Sequence, residues 1–448
     1  MKIGITKKRK KQSQQSRKEK VAKMDDGNET TDNELDYEEE VESEEEEIDK
    51  DKMKLEEEKK VWSTSGWKID PRPDYAYKPK LTMEGSQNIL NEIGYFLHFF
   101  PTNFLKETML PAIDTFVKEP VTFEEFLCFL GLFNSMEVQH LPERRMYWDT
   151  QDNGIFQTFN YGKYMSRARF EEILSNLTFS PKEDKDDQIL DYLDAVNKCF
   201  QAALRAGDSL CLDESMVKAF HRNLKGKMKI IRKPRPIGNE FKTLCDARSK
   251  IVLYAELYEG KEIMQYKDYV DDFGATTACC LRLTDPWKGT GRLVIGDSWF
   301  GSVNSVAELM NKNGLFAIML VKTAHKNYPR LALRENPLKE RGQWKSLAGN
   351  IKDVKMMAVL FKDLKEKQFI SSCSTDLEGE PRITRHHGNI SRPKVAETYL
   401  KLAAGIDIHN HVRTGSVGLE DVWRTKEYVH RQFAGITGFI FTNAYLAI

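Results

Sequence analysis

Apolar and polar positions divide the chain into stretches of different period. From Phe123, the segment FEEFLCFLGLF sets Phe126, Leu127, Leu130 and Phe133 on one stripe with Glu124 and Glu125 opposite, the period of an amphipathic helix. SRARFEEIL opens on Ser166, a residue suited to cap a helix that then holds Glu171 and Glu172. After about Leu204 the period changes. SLCLD (209–213), FKTLCDA (241–247), KIVLYAELY (250–258), RLVIGD (292–297) and LFAIMLV (315–321) read as short strands, and Leu293–Ile295 runs without polar interruption, as in a strand covered on both faces. Helical stretches at Thr276–Leu283 and Val303–Asn313 are interleaved with them, which predicts an α/β core, a mixed sheet with helices on both faces.

Two of these runs end in an acid. SLCLD delivers Asp213 and RLVIGD delivers Asp297, each expected at the C-terminal end of its strand, where open α/β sheets place their ligands. An Asp after a strand is more often a cap or a turn residue, so either one alone says little. A third acid joins them. PKVAETYLKLAAGIDIHNHVR (393–413) carries Val395, Tyr399, Leu402 and Ile406 at helical spacing and holds Asp407, and is expected as one helix. Three aspartates on two strands and a helix supply the hard oxygen ligands that a two-metal phosphoryl-transfer site needs. Between helix and strands, QWKSLAG, VKMMAVLF and KQFISSCS predict a strand-rich region over 328–392. The chain then runs into EDVWRTKEYVHRQFAGITGFIFTNAYLA, a helical pattern whose Trp423, Phe433, Phe439 and Phe441 are expected to pack a core.

Charge adds a second signal. The net charge is zero, yet residues 1–23 hold ten Lys and Arg against one Glu, and residues 24–60 hold nineteen Asp and Glu against five Lys. Residues 1–60 lack the apolar surface to offset the entropy of ordering and are expected to be disordered. KKRKK at Lys7–Lys11 has the form of a nuclear-import signal or a nucleic-acid contact, and the acidic block that of a solvated tail or a phosphate mimic. Between Glu214 and Glu240 there is no acid but eight bases: Lys218, Arg222, Lys225, Lys227, Lys229, Arg232, Lys233 and Arg235. A basic hairpin is usually only solvated; beside a carboxylate cluster it suits a metal-bound nucleic-acid backbone. His386 and His387, in RITRHHG, are further candidates for phosphate contact.

The motifs LCLDESMVKAFHR (from Leu210), KPRPIGNEFKTLCDARS (from Lys233), GDSWFGSVNSVAELMNKNG (from Gly296) and AAGIDIHNHVR (from Ala403) resemble those of the piggyBac transposase family. FLGLFNSMEVQHLPERRMYW and YMSRARFEEILSNLTFS extend the resemblance upstream, so that it runs from about Tyr95 to Ile448. It implies an RNase H-like core with a flanking helical domain and a β-rich insertion, and places the catalytic and metal-binding triad on Asp213, Asp297 and Asp407. It further implies two Mg²⁺ ions, for which Mn²⁺ substitutes, a homodimer, and DNA as partner, both transposon ends and TTAA targets. One position departs: Asn410 stands where many members have an acid. Asn410 and His411, near Asp407, are candidates to support the ligands, although Mg²⁺ prefers oxygen to imidazole.

These readings divide the chain into 1–60, a basic then acidic tail; 61–84, a linker with Pro71, Pro73 and Pro79; and 85–207, a helical dimerisation and DNA-binding region. The core follows at 208–327 and 393–413, interrupted by the insertion at 328–392 and closed by a helical segment at 414–448. Seven cysteines, an odd number without a C-x-x-C pair, read as reduced core residues. None follows Cys373, so the cysteine-rich zinc domain that ends many family members is not expected, and neither is zinc. No run reaches the roughly 18 apolar residues of a membrane span, and the expected location is the nucleus. Two functions remain open: a DNA transposase working by metal-dependent strand cleavage and transfer, or a catalytically inactive nuclear DNA-binding or scaffold protein of the same descent. A plain RNase H-like nuclease fits less well, because the resemblance extends beyond the core.

Overall fold

Buried strands must satisfy their backbone groups with neighbours, and in the computed structural model the apolar runs do so in one ten-stranded sheet. The structure describes residues 44–64, 67–73, 77–82, 91–138, 140–150, 159–219, 224–231, 236–322, 326–384, 388–415, 418–423, 425 and 427–448. In chain order the strands are β1 (Trp62–Ser63), β2 (Lys80–Leu81), β3 (Leu204–Arg205), β4 (Ser209–Lys218), β5 (Lys227–Lys229), β6 (Ile237–Asp246), β7 (Val252–Leu257), β8 (Leu293–Gly296), β9 (Phe316–Leu320), β10 (Trp344–Ile351), β11 (Val354–Lys362) and β12 (Glu366–Ser371). The longer helices are α1 (Glu44–Val61), α2 (Glu92–Phe99), α3 (Phe123–Val138), α4 (Arg167–Ser175), α5 (Lys185–Ala203), α6 (Ala275–Thr284), α7 (Val303–Asn313), α8 (Lys394–Leu402), α9 (Gly405–Thr414) and α10 (Tyr428–Ala447).

At the centre the order is β7, β6, β4, β8, β9. β4, β6 and β7 are antiparallel neighbours, while β8 runs parallel to β4 and β9 parallel to β8. This is the RNase H-like arrangement. On the far side β12, β11 and β10 continue the same sheet with antiparallel pairing, so the strand-rich region beyond residue 328 extends the core sheet rather than folding apart from it. Side chains alternate along each strand, and the register assigns them to faces. Cys211, Asp213 and Val217 of β4 share a face with Phe241, Thr243 and Cys245 of β6; Glu214 lies opposite Lys242, and Lys242 opposite Glu256, on the other face. Arg282 of α6 ion-pairs Glu256 at 2.8 Å, which places α6 over that second face. α9 and α10 cover the first, Gly405 lying against Cys245 and Gly435 against Val217.

The helices before the core build an aromatic layer. α3 buries Phe126, Phe129 and Phe133, and Phe133 stacks on Trp423 with ring centroids 4.0 Å apart. Ser166 caps α4 by accepting the backbone N–H of Arg169, as its position suggests. Two short strands of the expected linker dock, β1 pairing with β10 and β2 with β3. All seven cysteines are free.

Three expectations need correction. Asp213 is not at the end of its strand: β4 continues to Lys218, because β6 pairs with it along that whole length while β8 stops opposite Leu212. Segment 393–413 is two helices. α8 packs Val395, Ala396 and Tyr399 with Ile318 and Phe369, whereas α9 packs on β4 and β6; across a twisted sheet one straight helix cannot serve both patches. The chain turns at Ala404 (φ −85°, ψ 11°). Finally, residues 44–61 of the acidic stretch form α1. Its C-terminal turns are held by Glu58 Oε2, which accepts the N–H of Ala332 at 2.9 Å, and by a 2.8 Å ion pair of Lys59 with Glu335. Residues 1–43, including Lys7–Lys11, lie outside the described residues.

A Cβ on Gly405 would stand 2.6 Å from Cys245 Sγ and 3.4 Å from Cys211 Cβ, so only glycine lets α9 come this close. Gly405→Ala is expected to cost about 1–3 kcal/mol by overpacking, and the added Cys245→Ala change should recover much of it; urea denaturation checks both.

Candidate active site

The site lies where β8 ends. Beyond the pair Leu212–Gly296, no strand among the described residues pairs with β4 on that side, and the chain leaving β8 turns at Asp297. Asp297 Oδ1 accepts the N–H of Trp299 at 2.8 Å and its carbonyl that of Gly301 at 2.9 Å, a closed turn that aims the carboxylate into the gap. Gly301 is forced: a Cβ there would fall 1.6 Å from the carbonyl oxygen of Leu320. Ser302 then caps α7, accepting from Ser305 N at 2.9 Å.

Asp213 reaches the gap from the α9 face. Its carbonyl accepts Thr243 Oγ1 at 2.9 Å, and its Oδ1 accepts the N–H of Glu214 at 2.7 Å. Ligand atoms of Asp213, Glu214 and Asp297 all lie within 4.8 Å of one another. Asp407, in the first turn of α9, is exposed and stands outside that tight group, but lines the same cavity of about 420 Å³ with the three acids, Tyr399, Leu400, Ala403 and Ala404. The structure thus brings Asp213, Asp297 and Asp407 to one cavity and adds Glu214. Alternation along a strand argues against two adjacent residues sharing a site; it fails here because β8 no longer separates the two faces at this level. The adjacent pair Asp213–Glu214 was the available signal.

Of the supporting candidates, Asn410 donates Nδ2 to the carbonyl of Glu214 at 3.2 Å and accepts Arg413 at 3.3 Å, tying α9 to β4. His411 is exposed and lines a different cavity, with Asn134, Val412, Gly415, Phe441, Thr442 and Tyr445. Its neighbour His409 is a core residue, 3.2 Å from Asn443 Oδ1, and burial holds its pKa down at about 3. In the basic hairpin, Lys227 and Lys229 are exposed on β5 and Lys218 is half-buried at the end of β4. Lys225 is paired with Asp186 at 2.5 Å, while Arg222, Arg232, Lys233 and Arg235 lie outside the described residues, as do His386 and His387.

Burial, and next the negative charge of Glu214, push Asp297 above the usual carboxylate range; the amide N–H groups of Trp299 and Phe300 and the charge of Lys242 offset this in part. A site whose own acids oppose ionisation suits a cation. The donors are all carboxylates, the hard oxygen set that Mg²⁺ and Mn²⁺ take and that softer ions do not need.

PiggyBac transposable element-derived protein 2 of Homo sapiens is 23% identical over 377 residues, 78% of this chain and 60% of that protein. The chain therefore spans less than two thirds of this curated relative. A piggyBac transposase, solved by cryo-EM as a synaptic complex with hairpin DNA, superposes with a TM-score of 0.64 at 17% identity, covering 83% of this chain and 77% of that one. A family model described as Transposase IS4 matches residues 91–445. The chain belongs to the piggyBac transposase family. The family-model match over 91–445 takes in the helical region, the central sheet and nearly all of α10, and no described helix is long and apolar enough to cross a membrane.

Because the folded protein raises the Asp297 pKa, the ionised group opposes folding: its contribution is favourable at low pH and is lost as pH rises through the folded value. Asp297→Asn is therefore expected to melt above the wild type in EDTA at neutral pH, with the gap closing near the unperturbed carboxylate value of about 4. Thermal unfolding at both pH values checks this, and a variant that melts lower at neutral pH contradicts it.

Proposed function

We propose that the chain is a DNA transposase that cleaves and joins DNA strands with Mg²⁺ held by Asp213, Asp297 and Asp407, Glu214 lying among them. The observation that carries this reading is the meeting of four acids in one cavity at the end of the parallel pair β4–β8. Two bound Mg²⁺ ions would supply a water activated at neutral pH and neutralisation of the leaving oxygen. The residues do the rest. The closed turn at Asp297 and the Thr243 bond to Asp213 hold two ligands rigidly, and Asp407 enters on its own helix. Burial, and then the surrounding aspartates, raise the Tyr399 pKa, so its hydroxyl keeps its proton as a neutral wall of the cavity. Lys218, at the end of the strand that carries Asp213, and Lys227 and Lys229, on β5 beside β6, suit the phosphate backbone leading into the site.

In this reading hydrolysis breaks the P–O3′ bond at a transposon end, and the freed 3′-hydroxyl attacks phosphorus in later transesterifications, with no covalent protein–DNA bond. The DNA complex of the structural relative supports a DNA substrate, and the family likeness supports TTAA targets and a dimeric working unit. The basic run at Lys7–Lys11 supports nuclear import. A second reading, a derivative that binds DNA without turnover, is favoured by Asn410, whose amide is engaged with the backbone of Glu214 rather than offering an acid.

A nicking assay separates the two. With Mn²⁺ and DNA carrying a candidate terminal repeat, the wild type should nick, and Asp213→Asn, Asp297→Asn and Asp407→Asn should each fall to background; a wild type that binds this DNA and never nicks it favours the derivative. A salt titration of binding tests the hairpin. Replacing Lys227 or Lys229 by Ala should lower the slope of log K against log salt by about 1 each, whereas Lys225→Ala, already paired with Asp186, should change it little.

A further inference from the structure

One buried cation stands among the acids. Lys242 of β6 faces Glu214 across the β4–β6 pair and is 3% exposed. Its Nζ is 3.2 Å from Glu214 Oε1 and 3.1 Å from Glu240 Oε1, and both glutamates are 4% exposed. The ammonium also lies 3.2 Å from the centroid of the Trp299 ring, a cation–π contact strengthened by burial. The backbone N–H of that same Trp299 holds Asp297 Oδ1, and the next residue on β6, Thr243, holds the carbonyl of Asp213. Two consecutive residues of one strand therefore grip all three members of the tight group: Thr243 directly on Asp213, Lys242 directly on Glu214 and, through the indole, against the turn of Asp297.

Stability alone is a poor reason for this arrangement. Desolvation offsets most of the Coulomb gain of a buried ion pair, and well-packed apolar side chains are often as stable. A ligand carboxylate has a different need. Glu214 rises from the α6 face, and left without its ammonium it would be repelled by Asp297 on one side and Glu240 on the other. Outer partners that fix a ligand's orientation typically account for 10–100-fold in metal affinity.

We propose that Lys242 is a positioning residue that holds the Glu214 carboxylate in place as an additional ligand of the metal centre. The proposal rests on the metal-dependent function argued above, and it assigns Lys242 no contact with substrate. Glu240 serves as the second anchor of the ammonium, and Trp299 as the surface on which it rests.

The test is calorimetric titration of the full chain with Mn²⁺, without DNA or turnover. Lys242→Met and Glu214→Gln are each expected to weaken Mn²⁺ binding by about 10–100-fold, and the double variant to be no weaker than the worse single, because both remove one element. Wild-type affinity in Lys242→Met or in Glu214→Gln, or additive losses in the double variant, would overturn the proposal. Should Lys242→Met not fold, Trp299→Leu replaces it: the backbone N–H on Asp297 is kept, the surface under the ammonium is lost, and a severalfold weaker affinity is expected, with an unchanged one counting against the proposal. A wild type that takes up no Mn²⁺ would sink the metal reading and this inference together, whereas loss of binding in Asp213→Asn with full binding in Lys242→Met and Glu214→Gln would overturn the inference alone.

Discussion

Several carboxylates gathered in a half-buried gap repel one another, and much of the surrounding structure is explained by the need to hold them there. Charge repulsion at low dielectric is strong, and it is met by rigid backbone: a parallel strand pair that stops one residue short of the acids, a turn closed on Asp297 by two amide N–H groups, and an antiparallel hairpin that keeps Asp213 from retreating. The sheet does not soften at this point. β8 and β9 are buried along most of their length, with α7 on one face and α8 on the other.

The acids differ in how they are held. Asp213 and Asp297 belong to the sheet and its immediate turn. Glu214 depends on a side-chain ion pair. Asp407 comes from α9, which is fastened by the bond of Asn410 to Glu214, by the bond of Arg413 to the carbonyl of Met216 at 2.8 Å, and by the burial of Ile406 and His409. Asn443 of α10 meets His409 and also brackets Val252 of β7, accepting its N–H and donating to its carbonyl, so the last helix braces both the third acid's helix and the sheet edge.

The elements most legible in the sequence were those whose environment is uniform along their length. Leu293–Ile295 and LFAIMLV are apolar throughout because both faces are covered, and FEEFLCFLGLF keeps one stripe because one face is, so period alone identifies them. What the sequence hid depends on where a neighbour stops. Nothing in SLCLDESMVK says that β8 ends opposite Leu212, yet that ending brings Glu214 round to the acids and sets Asp213 in mid-strand. Likewise, Ala403 and Ala404 are good helix formers, and the turn there follows from the different patches on which α8 and α9 must pack. Lys242 could not be singled out from FKTLCDA, since its partners come from two strands and a loop. The basic hairpin was visible as composition, but the engagement of Lys225 with Asp186 is purely tertiary.

Gly405, Cys211 and Cys245 share one small volume beneath the third acid. Space there is a common quantity divided among three positions far apart in the chain, and none can enlarge unless another shrinks. Volume rather than charge thus sets how closely the third acid approaches the sheet: a larger side chain at any of the three positions would push α9, and Asp407 with it, away from Asp213 and Asp297.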